Sequence, residues 1–275
     1  MHRRAAAVVL LAWLAVAGAA AAAEGGPVRE APAPLARLEI LDHGQGPEAW
    51  AENLLSGPVE VVLRARDGAP RAQPALPARA TVPSRGRVLV SRLEQADAAV
   101  VLEVVPGHPG ARPRDVEYAW PLASPVLRIA QGWGGGASHR DDENRHAVDF
   151  AVEEGTPVLA ARDGVVMQVE ARFSGSGLDS ADAIERANFV RILHDDGTMA
   201  LYAHLAPGGV HIRPGDRVRR GQHIATSGNT GYSGGPHLHF AVQANRGLRL
   251  ASIPFKMFGP GGILRFSEAA AGVER

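Results

Sequence analysis

The 275-residue chain carries 29 basic and 29 acidic side chains, 45% hydrophobic residues and no cysteine. That length allows one medium domain or two small ones with a substantial core, and the balanced charge leaves no basic excess for a nucleic-acid partner. Lacking cysteine, the chain has no thiol nucleophile, disulfide, lipidated anchor or Cys-zinc site, and its single lysine, Lys256, lies in the C-terminal tail, which argues against Ser-Lys catalysis.

Met1 to Ala23 opens with His2, Arg3 and Arg4, runs apolar and ends in an alanine tract. A basic start, an apolar middle and Ala-x-Ala options predict a signal peptide over 1–23, export to the periplasm and no stable membrane insertion once it is cleaved. Residues 24–34, rich in Pro, Gly and Ala, read as a linker. Short β-branched runs follow at Ala36 to Leu41, Val59 to Ala65, Gly86 to Leu93 and Ala98 to Val105, separated by turn clusters and by the proline-rich stretch from Ala72 to Pro83. This spacing predicts an antiparallel β-sandwich-like accessory module over 35–113, with His43 and His108 as solvated loop residues.

From Val126 the texture changes to glycine-rich loops between strands, which predicts a second, antiparallel β-sheet domain over 118–255 and a tail over 256–275, so the whole chain reads as mostly β. Strands are expected at Val126 to Ile129, Ala147 to Ala151, Pro157 to Ala161 and Val165 to Val169, with a hairpin of Asn188 to Leu193 and Met199 to His204 turning at Asp195-Asp196-Gly197. The run from Gln131 to Gly136 has no following helix and no Gly-Lys-Ser/Thr, so it reads as a flexible loop rather than a phosphate cradle. Ser180 to Ala187 has room for two helical turns.

Eight of the eleven histidines fall between His139 and His239. In the stretch Gly235-Pro236-His237-Leu238-His239-Phe240, the period of two sets Leu238 and Phe240 on one strand face and the two histidines on the other, where their imidazoles can converge on a metal or a reacting atom. His194, His211 and His223 read as solvated, and the aspartates at 163, 195, 196 and 216 as turn residues.

Ala147-Val148-Asp149-Phe150, Glu154-Gly155-Thr156-Pro157-Val158, Tyr202-Ala203-His204-Leu205, and Thr226 to Gly231 leading into His237-Leu238-His239, taken in this order, resemble the lysostaphin-like (LytM-type, M23) zinc metallopeptidases over about Val126 to Ala244. The resemblance implies a LytM-type (duplicated hybrid motif) peptidase domain and one zinc ion per chain. It also implies hydrolysis of the peptide cross-links of peptidoglycan. It matches Asp149 and His239 to metal ligands, and His204 and His237 to the pair that flanks the reacting water as general base and acid. One position departs from the family: the histidine expected four residues before the aspartate is Arg145, and the glycine between them is Ala147. His139 is the expected substitute ligand, brought back by a small loop over Arg140 to Arg145. His146, three residues before Asp149, falls on the opposite face of a regular strand and would need a bulge. Loss of the ligand would instead leave an inactive domain of this type that binds and activates a cell-wall amidase.

Overall fold

The computed structural model describes residues 32–266, apart from 45, 69, 127, 179–185 and 260. The expected signal peptide, most of the expected linker and the core of the expected Ser180 to Ala187 turns lie outside the described residues. Among the described residues every regular element is a strand, and no helix is long and apolar enough to cross a membrane.

Two sheets occupy the N-terminal part. One runs in the order Ala36–Asp42, Pro47–Asn53, Arg87–Leu93 and Ala72–Gln73, the other Ala78–Val82, Val59–Ala65 and Val100–Pro106. Their facing sides share one apolar core, in which Val59, Val61 and Leu63 meet Ala49, Ala51 and Val90. Pro47–Asn53 and Ala78–Val82 escape a reading by β-branched runs. In Pro47–Asn53 the buried alternate positions include Ala49 and Ala51, small residues with no strand signature of their own. Ala78–Val82 lies inside the stretch read as a proline-rich separator, and it pairs along its whole length with Val59–Ala65.

The C-terminal part is built on an eight-stranded sheet. Its path is Arg217–Val218, Gly164–Glu170, Phe189–Leu193, Met199–Ala203, His237–Asn245, Val148–Ala151 and Ile129–Gln131, with Leu250–Ser252 added on His237–Asn245. One face carries Phe150, Val166, Ile192, Tyr202, Leu238 and Phe240 into the main core. A three-stranded sheet of Pro157–Leu159, His223–Ser227 and Leu205–Val210 covers this core with Val158, Ile224 and Ala225. The expected tail over 256–275 is corrected in part. Lys256–Gly259 and Gly262–Arg265 are strands that extend Glu117–Ala119, and Met257 and Leu264 are buried in the core.

The opposite face of the large sheet is shared. Asp149 lies directly across from His239, and His239 from Ala203, so these residues project to one side together. Farther along the same side, Met199 joins the core of the N-terminal sandwich and Asn245 donates its side-chain N–H to the carbonyl of Gly107 at 3.0 Å. Asn245 is six residues from His239, about 20 Å along an extended strand. The sandwich therefore packs on the face that bears the histidines, displaced toward its other end. Ser56 N–H donates to the Met167 carbonyl at 3.0 Å and Leu248 N–H to Glu60 at 2.6 Å, which ties the two parts by hydrogen bonds as well as apolar contact.

Gly107 sits at the centre of this contact with φ 91°, and a Cβ there would stand 2.8 Å from Met199 Cε. Both the left-handed backbone and the space favour glycine. Gly107→Ala is expected to cost about 1–3 kcal/mol of stability, read as a lower midpoint in thermal unfolding. An unchanged midpoint would contradict the packing described.

Candidate metal centre

Strand pairing assembles the site. Asp149 and His239 are direct cross-strand partners, and His239 Nδ1 lies 2.9 Å from Asp149 Oδ1. His239 shares its face with His237, whose Nε2 is 3.9 Å from the same oxygen. His139 arrives from the turn region between Ile129–Gln131 and Val148–Ala151, with Nε2 3.3 Å from Asp149 Oδ1. His139, Asp149 and His239 are all buried, and their ligand atoms lie within 4.8 Å of one another.

The turn region is hydrogen-bonded throughout, which corrects the expectation of a flexible glycine loop. Gly134 N–H donates to Arg145, Gly135 N–H to Gly132 and His139 N–H to Gly135. Asp141 receives the backbone N–H groups of Glu143 and Asn144, each at 2.9 Å, and Ser252 N–H donates to Asp142 at 2.7 Å, which fastens the turn to the sheet. His139 Nδ1–H donates to the Gly132 carbonyl at 2.8 Å, which fixes the ring and leaves Nε2 pointing at Asp149. Gln131 donates to Asp149 Oδ2 at 3.3 Å and to Ser138 at 2.8 Å, and accepts from Ala137 N–H. Gln131 and Gly132 carry no signal of their own in the sequence, since they support the site through a side-chain amide and a carbonyl.

His146 goes elsewhere. Its Nδ1 is 3.1 Å from the Ser252 carbonyl and its ring meets Trp133 edge-on at 5.2 Å. Arg145 stays exposed.

His204 follows Met199–Ala203 and has φ 61°, a left-handed backbone. In a continuing strand it would point to the face opposite Ala203 and His239. The left-handed residue ends the strand and turns the ring back, so that its centroid lies 4.4 Å from that of His237 and 5.8 Å from that of His239. His204 Nδ1–H donates to the Thr230 carbonyl at 2.7 Å and His237 Nδ1–H to the Gly235 carbonyl at 2.8 Å. Each ring is thereby oriented with Nε2 as its remaining nitrogen.

Burial, then the charges of His237 and His239, pushes the His204 pKa down to about 3, so this imidazole is neutral near pH 7. Burial works to raise the Asp149 pKa, but the hydrogen bonds from His139 and His239 outweigh it and hold the carboxyl well below its usual range. Burial opposes the His139 imidazolium as well, yet its bond to Asp149 raises the pKa overall. The donor set of two imidazoles and one carboxylate suits a borderline cation such as zinc.

His194 corrects another expectation. It is buried rather than solvated, with Nδ1–H donated to the Asp163 carbonyl at 2.8 Å and its ring against Tyr118. His211 and His223 are exposed, with rings 4.7 Å apart.

The profile of peptidase family M23 matches residues 143–249. The catalytic domain of lysostaphin from Staphylococcus simulans is 31% identical, over 43% of this chain and 81% of that one, with a TM-score of 0.33. Residues 143–249 thus carry a peptidase family M23 domain. The glycyl-glycine endopeptidase ALE-1 of Staphylococcus capitis is 38% identical over 103 residues, 37% of this chain and 25% of that protein. The peptidoglycan DD-endopeptidase ShyA of Vibrio cholerae is 38% identical over 98 residues, 35% of this chain and 20% of that protein. The chain thus spans about a quarter or less of the length of these curated relatives. His139 lies ahead of the matched span.

His139→Ala is expected to weaken Zn2+ binding by about tenfold or more, measured by calorimetric titration of metal-stripped protein. His146→Ala is expected to leave it nearly unchanged. Equal losses in the two variants would contradict the geometry.

Proposed function

We propose that the protein is an exported zinc endopeptidase that hydrolyses peptide cross-links of peptidoglycan, in which His139, Asp149 and His239 hold the metal and His204 and His237 are the catalytic histidines. The observation that carries this reading is the buried three-ligand cluster with two further imidazoles oriented beside it. The substrate class is taken from the relatives, two of which are named as endopeptidases, one of peptidoglycan. The periplasm is the corresponding compartment. We take residues 35–113 as an accessory module and 118–255, extended by the strands to Arg265, as the peptidase domain.

Zinc held there would supply Lewis acidity toward the scissile carbonyl and lower the pKa of a water. The chain's own residues handle orientation and protons. His204, kept neutral by burial, is able to accept a proton at Nε2, and the Thr230 carbonyl fixes its ring while it does so. His237, held through Nδ1–H by the Gly235 carbonyl, presents Nε2 near Asp149; as an imidazolium it would donate from Nε2 to developing negative charge and pass that proton to the leaving amine. Asp149 is kept ionised by its histidine partners.

Digestion of purified cell walls tests this reading. The protein is expected to release soluble muropeptides, to stop with a chelator and to recover with Zn2+. His204→Ala is expected to lower kcat by about 10²–10⁴-fold with bound zinc unchanged. Wall cleavage that survives complete metal removal would overturn the reading. Absence of cleavage in the zinc-loaded protein, together with stimulation of an amidase, would favour the activator role that Arg145 brought into view.

A further inference from the structure

The candidate ligands His139 and Asp149 reach the centre by different routes. Asp149 is fixed by strand pairing, whereas His139 stands ten residues earlier in the chain, in the turn region and outside any strand. A ligand on such a turn keeps its place only where the turn is fastened to the strand it faces. Gln131 is placed to fasten it. It is the cross-strand partner of Asp149 in Ile129–Gln131, so the two side chains lie on one face.

Both ends of the Gln131 amide are used. Ala137 N–H donates to Oε1 at 3.1 Å, and because a backbone N–H can only donate, this contact settles which end of the amide is the oxygen. The NH2 group donates to Ser138 Oγ at 2.8 Å and to Asp149 Oδ2 at 3.3 Å. One side chain thus ties Asp149 to the two residues that immediately precede His139. It also divides the carboxylate. Oδ2 faces the amide, while Oδ1 faces His239 Nδ1 at 2.9 Å, His139 Nε2 at 3.3 Å and His237 Nε2 at 3.9 Å.

The glycine run supplies an independent observation. A Cβ on Gly135 would overlap Gln131 Cγ and stand 2.7 Å from its Cδ, and its three nearest neighbours are all atoms of Gln131. Gly135 has no left-handed backbone, so what it contributes is space rather than conformational freedom. Any side chain at 135 would push the Gln131 stem away from Asp149.

On the reading in which His139, Asp149 and His239 hold the metal, we propose that Gln131 is the positioning residue of the centre. Its amide turns Asp149 so that Oδ1 is the oxygen offered to the cation, and it holds the turn that carries His139, with Gly135 leaving the room it needs. A carboxylate that offers one oxygen matches the small shell of zinc better than the larger oxygen shells of hard cations such as calcium.

Titration of the metal-stripped full chain with Co2+, followed by visible absorption, tests the proposal, since the band of bound cobalt reports its coordination. Gln131→Ala is expected to weaken Co2+ binding by about tenfold or more and to change the band, because both Asp149 oxygens become free to bind. Gln131→Met, which keeps the stem without the amide, is expected to do the same. Gly135→Ala is expected to reproduce both effects in the presence of Gln131. In the Gln131→Ala background it is expected to change affinity by no more than about twofold, because its nearest neighbours are then gone. Thermal unfolding separates positioning from a merely structural role: the rise in midpoint on adding Co2+ is expected to shrink in the variants. The proposal is overturned if the Gln131 variants keep the affinity and the band, if they lower the midpoints with and without Co2+ equally, or if the losses from the Gln131 and Gly135 exchanges add in full. In those cases the ligand assignment stands. Failure of the unaltered chain to bind Co2+ would overturn the ligand assignment and this proposal together.

Discussion

The pairing of Asp149 with His239 across two antiparallel strands is the contact on which the rest of the centre depends. Direct opposition places both side chains on one face, and the 2.9 Å contact follows from register rather than from a flexible loop. A slip of one residue in Val148–Ala151 would send Asp149 to the apolar face, among Leu238 and Phe240, and Phe150 to the other. Core packing on that face therefore protects the site on the other. Tyr202 illustrates the coupling, since its hydroxyl accepts the Ala161 N–H at 2.8 Å inside the core while its strand leads directly to His204.

Between the metal centre and the accessory sandwich lies a polar layer on the same sheet face. The Arg191 guanidinium is buried and donates to the side-chain carbonyl oxygens of Gln168 at 2.5 Å and Gln243 at 3.3 Å. Gln243 donates in turn to the Glu143 carbonyl at 3.1 Å, in the turn region that delivers His139. Burial pushes the Arg191 pKa down to about 10, opposed by the charge of Glu143 and still far above neutrality, so a full charge is held there beside neutral amides. This layer joins the sandwich contact to the loop of the third candidate ligand, and it gives the accessory part a physical connection to the centre without a shared residue.

Much of the architecture was legible in the chain itself, because strands with one buried face write their alternation into the sequence. His237 to Phe240 shows this most clearly, and the hairpin that ends at Ala203 nearly as well. What escaped recognition has identifiable causes. Pro47–Asn53 buries alanines, which give no β signal, and Lys256–Gly259 pairs with Glu117–Ala119 across more than a hundred residues, which no local pattern can reveal. His194 looks like any polar residue beside a turn until the Arg162–Asp196 pair and Tyr118 close around it. At the centre, Asp149 and His239 could be picked out from strand periodicity and family likeness, whereas the choice between His139 and His146 turned on a loop whose course is set by Asp141, Asp142 and Ser252.

X-ray absorption spectroscopy at the zinc edge of the metal-loaded protein tests the central claim most directly. The account predicts a first shell with two imidazole nitrogens and one carboxylate oxygen, losing one imidazole in His139→Ala and none in His146→Ala. A spectrum with a single imidazole in the unaltered protein, or one unaffected by removal of His139, would contradict it.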